Sequence, residues 1–159
     1  MLVNNPSNTE HLLPSFYFRV AFSGALGSAL PSDNSFLEVS GISAEVKNKP
    51  YKEGGENRFT HQLPEGVEYT NLILKRGIAS MSSPLVLWCR QIIEGGFVMP
   101  ILTQELTVSL MDSSGAPARS WSFVNARPVK WEVEGFNSTK NEVAIEKIEL
   151  AYNYFDRIL

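Results

Sequence analysis

Over most of its length this chain alternates with period two. Phe16, Phe18, Val20 and Phe22 are separated by Tyr17, Arg19 and Ala21, and Leu102, Leu106, Val108 and Leu110 oppose Thr103, Glu105, Thr107 and Ser109. Val129, Trp131 and Val133 flank Lys130 and Glu132 in the same way. Successive side chains of a strand point to opposite faces, so each run describes a strand with one face in a core and the other outside. A chain made of such runs has few ways to bury them: a curled sheet, a sandwich or a barrel. One stretch breaks the pattern. Ser83 precedes Pro84, and Leu85, Trp88, Cys89, Ile92 and Ile93 then follow at helical spacing up to Gly95-Gly96. That is an N-cap, a proline at the first helical position, one apolar stripe and a glycine stop. A helix over 84–94 spans only about 16 Å, so it forms a lid on the sheet. Its packing residues are Leu85, Trp88 and Ile92, leaving Arg90 and Glu94 outside.

The remaining punctuation completes a mainly β, single-domain reading of residues 1–159, with seven or eight strands curled as a barrel or sandwich. Residues 1–13 form a loose N-terminal extension, and Ala25–Ser35 is a loop rich in Gly, Ala, Ser and Pro. Phe36–Val46 is a strand interrupted at Ser40-Gly41. Asn57–Leu63 and Tyr69–Lys75 are strands joined by a turn at Pro64-Glu-Gly66. Asp112-Ser-Ser-Gly115 turns the chain into Arg119–Asn125, where Trp121 and Phe123 face the core, and Pro128 ends that strand. At the C-terminus Val143 and Ile145 occupy odd positions while Ile148, Leu150, Tyr152 and Tyr154 occupy even ones. A strand with a bulge near Glu146-Lys147, or a helix, fits this change of phase; β-branched and aromatic residues favour the strand. Segment 47–57 differs from all of these. It holds Pro50, Gly54, Gly55 and five charged residues in eleven, too little apolar surface to be held by a core, and is expected to protrude.

The chemistry of the side chains is sparse. The formal charge is −3, with 14 Lys+Arg against 17 Asp+Glu in 159 residues, which gives no electrostatic basis for nucleic-acid binding. Cys89 is the sole cysteine and lies on the apolar stripe, where a thiol packs as a small hydrophobe. Neither His11 nor His61 has a second His or Cys at metal-ligand spacing. Glu132 with Glu134, and Glu142 with Glu146 and Glu149, read as solvated strand faces, and Glu53-Gly-Gly55 as a flexible turn. No nucleophile elbow, phosphate loop or zinc motif occurs. Catalytic residues, metal ligands and cofactors are therefore none. The N-terminus shows no export signal, no run is long enough for a membrane helix, and Asn137-Ser-Thr139 reads as a polar turn. These features imply synthesis and assembly in the cytoplasm without direct membrane insertion. Two function classes fit: a structural subunit, or a small-ligand-binding barrel. The bulk of Phe16, Phe18, Phe22, Trp121 and Trp131 implies a filled interior and weighs against the second.

Several strings in order and spacing resemble the inner tail-tube proteins of contractile phage tails and related contractile injection systems. They are Phe36-Leu-Glu-Val-Ser-Gly-Ile42, Tyr51-Lys-Glu-Gly-Gly55, Leu63-Pro-Glu-Gly66, Asn71-Leu-Ile-Leu-Lys-Arg-Gly77 and Leu87-Trp88. Leu110-Met-Asp112, Trp121-Ser-Phe-Val-Asn-Ala126 with Pro128-Val-Lys130-Trp131, and Asn141-Glu-Val-Ala-Ile-Glu146 continue the series. Type VI secretion tube proteins are similar too, though less so around Glu-Gly-Gly and Lys-Arg-Gly. The resemblance implies barrel-like subunits that form hexameric rings, stacked into a hollow tube that a contracting sheath drives into its target. Partners would then be other copies of the chain, a sheath protein, a baseplate or hub, and tape-measure and cap proteins, with DNA or an effector as cargo. The particle would be a phage tail or an injection machine.

In that setting the 47–57 segment becomes an inter-ring arm, made of Lys47, Tyr51, Lys52, Glu53, Gly54, Gly55 and Glu56 with Arg58. Tyr51 would be its apolar anchor, Glu53 and Arg58 its complementary charges, and Gly54-Gly55 its point of close backbone approach. Thr103, Glu105, Thr107, Ser109, Glu132 and Glu134 would face the lumen. Six subunits lending about four strands each at ~4.8 Å spacing give a wall about 115 Å round and ~37 Å across. That is wide enough for duplex DNA or a small folded protein.

Overall fold

The structure, a computed structural model, describes residues 17–23, 33–78, 82–135 and 144–159. Segment 1–13, Phe16, most of the 25–35 loop, Asn137–Thr139, Glu142 and Val143 lie outside them. The described residues form ten strands and one helix: β1 Tyr17–Ser23, β2 Asp33–Phe36, β3 Glu38–Ser40, β4 Ala44–Tyr51, β5 His61–Tyr69, β6 Leu72–Gly77, α1 Pro84–Ile93, β7 Gln104–Met111, β8 Pro117–Val133, β9 Ile145–Ala151 and β10 Tyr154–Arg157. Eight strands make one antiparallel sheet in the order β2-β1-β7-β8-β9-β6-β3, with β10 beside β8, while β4 and β5 form a separate ribbon. The two outermost strands of the main sheet, β2 and β3, are consecutive in sequence with only Leu37 between them. The Leu37 amide donates to the Lys75 carbonyl at 2.9 Å. The sheet therefore curls until its two ends meet in a single segment, rather than closing as one continuous ladder.

Two expected breaks turn out to be strand irregularities, and one expected irregularity is a regular strand. Pro64-Glu-Gly66 is not a turn: β5 runs straight through it, and Glu65 is the extra residue of a bulge, since Lys47 pairs with Gly66 but Asn48 with Pro64. A two-stranded ribbon leaves each strand one unpaired edge, where a proline costs no ladder bond. Pro128 likewise lies inside the 17-residue β8, where the register slips from Pro128↔Leu150 to Lys130↔Glu149. That slip sets Val129 aside, exposed, while Trp131 and Val133 keep the expected face opposite buried Ile148 and Glu146, Trp131 half-buried and Val133 exposed at the strand's end. At the C-terminus β9 keeps a regular alternation through Glu146-Lys147, and the strand pair is interrupted instead at Tyr152-Asn153. The Asp112 turn is as expected. Its carboxylate accepts from the Ser114 hydroxyl at 2.6 Å and from the Ser114 and Ala116 amides at 2.8 and 3.0 Å. Those bonds, the Ser114 hydroxyl first, hold its pKa below the ordinary aspartate value.

Helix α1 has ten residues, fewer than an isolated helix needs for stability. Ser83 caps it by accepting from the Val86 amide, and burial does the rest. Leu85, Trp88, Cys89 and Ile92 enter the core beside Val20, Phe36, Leu72, Leu106, Phe123 and Ile148, with the Trp88 ring edge-on to Phe22 at 5.7 Å. Trp88 Nε1 donates to the Leu102 carbonyl at 3.1 Å. Ile93, counted on the stripe from its spacing, remains exposed, and Val86 is buried in addition. Arg90 and Glu94 pair with each other at 2.9 Å.

Candidate assembly surfaces

The β4–β5 ribbon begins where the core ends. At its root Tyr69 packs against Tyr152 and Phe155, with ring centroids 5.9 and 5.7 Å away. The chain enters it through Gly41, whose φ of +83° brings the backbone against Asn71. The Gly41 carbonyl accepts from the Thr70 hydroxyl at 2.8 Å and from the Tyr152 hydroxyl at 3.3 Å. Beyond this hinge every residue of Ala44–Tyr51 and His61–Glu68 is exposed. The expected protrusion is thus a hairpin longer than the 47–57 segment, paired nearly to its tip and interrupted by the bulge at Glu65.

Its pairing sorts the side chains into two faces. Glu45↔Glu68, Lys47↔Gly66, Lys49↔Leu63 and Tyr51↔His61 lie on one, and Ala44↔Tyr69, Val46↔Val67, Asn48↔Pro64 and Pro50↔Gln62 on the other. The first face is charged and the paired residues of the second are all neutral, while Glu65, in the bulge, belongs to no pair. On the charged face Lys47 Nζ meets Glu68 at 2.7 Å, which, with Glu45, raises its pKa. At the tip Glu53 lies 3.3 Å from His61 Nε2, while the Arg58 guanidinium grips Glu56 at 3.0 and 3.1 Å and lowers that carboxyl's pKa. Glu53 and Arg58 therefore each meet a partner within the chain. Tyr51, Lys52, Gly54 and Gly55 are exposed, and nothing lies within 4 Å of a Cβ built on either glycine.

The polar strand face expected to line a lumen is only partly assembled. Glu105 and Thr107 stand opposite Ser23 and Ala21 of β1, and Thr107 opposite Ser122 of β8, which in turn pairs with Asp156 of β10. Four strands thus carry one small-residue polar surface. Thr103 lies just outside β7, exposed, with its hydroxyl 3.4 Å from Asn125 Oδ1. Ser109 departs from the set in burial: its pairing with Arg19 and Ser120 keeps it on the Thr107 face, but it is 7% exposed and shares a 2.8 Å hydrogen bond with Ser120. Glu132 lies on the β8–β9 half of the sheet, paired with Lys130 and with Lys147 at 3.7 Å, and Lys130 holds its pKa low. Glu134 follows in the exposed segment after β8.

Glu146 overturns a further expectation. Instead of a solvated face it occupies a core position, 2% exposed, opposite Arg76, itself 4% exposed. Arg76 Nε donates to Glu146 at 2.9 Å, Arg76 Nη2 to the Ser83 hydroxyl at 2.8 Å, and Trp131 Nε1 to the second carboxylate oxygen at 2.8 Å. The guanidinium also stacks on Phe36 at 4.9 Å. This network joins β6, β8 and β9 to the cap of α1. Period-two reading missed it because an ion pair at an inward position looks, in sequence, like a fault in the alternation.

The profile of the T4-like virus tail tube protein gp19 family matches residues 14–156. The chain belongs to this tail-tube family. A chain in the cryo-EM structure of the anti-feeding prophage (AFP) baseplate is 27% identical to it, with 91% of this chain and 94% of that one covered and a TM-score of 0.73. A chain of the PVC extracellular contractile injection system, in its extended sheath–tube complex, is 22% identical over 94% of this chain and 93% of that one, also with a TM-score of 0.73. Hcp1 from Flavobacterium johnsoniae shares the fold at 14% identity and a TM-score of 0.56, covering 90% of this chain and 95% of its own. No curated protein matches. As a tail-tube protein the chain is a structural inner-tube subunit of a contractile system, not an enzyme. The ligand-binding alternative finds no support. The core is packed with side chains, and the groove beside α1, lined by Trp88, Ile92 and Phe97 among others, has a volume of about 10 Å³, room for roughly one water.

Proposed function

We propose that this tail-tube protein works as hexameric rings stacked into a conduit, with the β4–β5 hairpin of each subunit reaching onto the adjacent ring. The observation that carries this reading is the hairpin itself. Two strands alone are marginally stable in water, yet among the described residues nothing covers this ribbon past its root or pairs with its two outer edges. Unpaired edges invite further pairing, and in a chain that builds a tube the natural cover is another copy. Tyr51 anchors the tip, Lys47, Lys52, Glu53, Glu56 and Arg58 supply charge around it, and Gly54-Gly55 allow close backbone approach. Since Glu53 and Arg58 already have partners within the chain, they act across rings as the small pairs Glu53–His61 and Arg58–Glu56 rather than as bare charges.

The lumen is lined by the polar surface of β1, β7, β8 and β10, including Glu105 and Thr107, with Thr103 at its margin. Ser109 is withdrawn from that wall, and Glu132 and Glu134 stand at its flank. The net negative charge keeps phosphate from adhering, so DNA and protein cargo both pass. A sheath surrounds the tube and drives it, a baseplate or hub and a cap close its ends, and a tape-measure protein sets its length. The solved relatives, which come from a baseplate, a sheath–tube complex and a tube-terminating cap, support the sheath, baseplate and cap among these partners. Replacing Tyr51 and Glu53 together by alanine tests the arm. Electron microscopy should then find rings or short stacks in place of tubes, while circular dichroism and melting stay as in the wild type. Tubes of normal length from that variant would refute the assignment.

A further inference from the structure

The hairpin's uncharged face has a counterpart elsewhere on the molecule. Residues 95–102, Gly-Gly-Phe-Val-Met-Pro-Ile-Leu, contain no charge, and Phe97 and Val98 are 72% and 86% exposed, with Met99, Ile101 and Leu102 exposed beside them. Five large apolar side chains in one exposed run amount to a patch of a few hundred Å², the size at which an apolar surface marks an interaction site. Phe97 follows Gly96 with a second positive φ, +60°. A bulky residue is seldom held in the left-handed region, and here that conformation displays the ring rather than burying it. With so little volume beneath it, the patch is a surface and not a pocket, suited to another surface and not to a small molecule.

We propose that this patch is the seat for the uncharged hairpin face of a neighbouring copy, with Val46 and Val67 resting on Phe97, Val98 and Met99. The proposal rests on the tube reading and adds where the arm lands. Charge decides the occupant. A neutral apolar patch gives a charged partner nothing in return for its lost hydration, and the nearby Arg90 and Glu94 already satisfy one another. The uncharged hairpin face needs the same kind of neutral cover, and each copy carries one of each surface. A contact between two different patches, repeated from copy to copy, generates rings or filaments rather than a closed pair, as a tube requires.

Hydrogen exchange on wild-type protein, free and assembled, tests this. Assembly should slow the amides of 97–102 and of Val46 and Val67 together, about tenfold or more. Oxidation of assembled Val67→Cys variants that also carry Phe97→Cys, Val98→Cys or Met99→Cys should give a ladder of covalent multimers from at least one pair, and none from the single variants; Cys89 is buried and stays out of the reaction. Tubes in which 97–102 exchanges as in the free chain, or in which no pair cross-links, would overturn the seat while leaving the tube intact. A wild-type chain that forms neither rings nor tubes would overturn the tube reading and the seat with it.

Discussion

Arg76→Met should lower the stability of the unassembled chain by about 3–5 kcal/mol, because it strands the Glu146 carboxylate in the core. For a chain of this size that corresponds to a melting temperature lower by roughly 10 °C. The cost lies in the charge left behind, not in the strength of the pair. Arg76→Met combined with Glu146→Leu should therefore recover much of the loss, limited by Trp131 Nε1, which then lacks its acceptor. Lys75→Met is the contrast. Its partner Glu38, 3.2 Å away, is half in water, and losing such a pair costs about 0–1 kcal/mol. Chemical denaturation of the four proteins, at concentrations where nothing sediments, separates these cases. If Arg76→Met costs no more than Lys75→Met, the buried network does not hold β6, β9 and the helix cap together.

Gly41→Ala should cost about 2–4 kcal/mol, the range of strained backbone combined with a steric clash, and should reduce tube yield as well. An alanine Cβ there would lie 1.9 Å from the Asn71 carbonyl oxygen, on a backbone whose φ of +83° already disfavours any side chain. Relief requires moving either Asn71, next to buried Leu72, or the hairpin root, where the Gly41 carbonyl receives Thr70 and Tyr152. Either shift re-aims the ribbon. Gly54→Ala is the matched control: its φ is not positive and nothing lies within 4 Å, so stability should stay within about 0.5 kcal/mol of wild type. Equal denaturation curves for Gly41→Ala and wild type would show that the hinge is not constrained.

The sequence was most informative where burial and periodicity coincide. Phe18, Val20 and Phe22, the Leu106–Val108 run and the stripe of α1 were read from spacing alone, since a half-buried strand or helix must repeat with its own period. It misled at Pro64, Gly66 and Pro128, because the same residues that make turns also mark bulges in strands with an open or irregular edge. The choice depends on neighbours that local sequence does not name. Glu146 was misplaced for a related reason: a charge at an inward position is tolerable only opposite Arg76, 70 residues away. The protruding segment was legible from its lack of apolar residues, but its extension through β5 was hidden by the supposed turn. The 97–102 run offers the sequence reader only an apolar stretch too short to span a membrane, although its exposure is its most distinctive property.

Negative-stain electron microscopy of the purified chain, alongside its sedimentation, tests most directly whether it is a self-assembling tube subunit. The expected images are six-fold rings and hollow tubes, with monomer mass only at low concentration. A chain that stays monomeric when concentrated, with the amides of Ala44–Tyr69 already protected in that state, would contradict it.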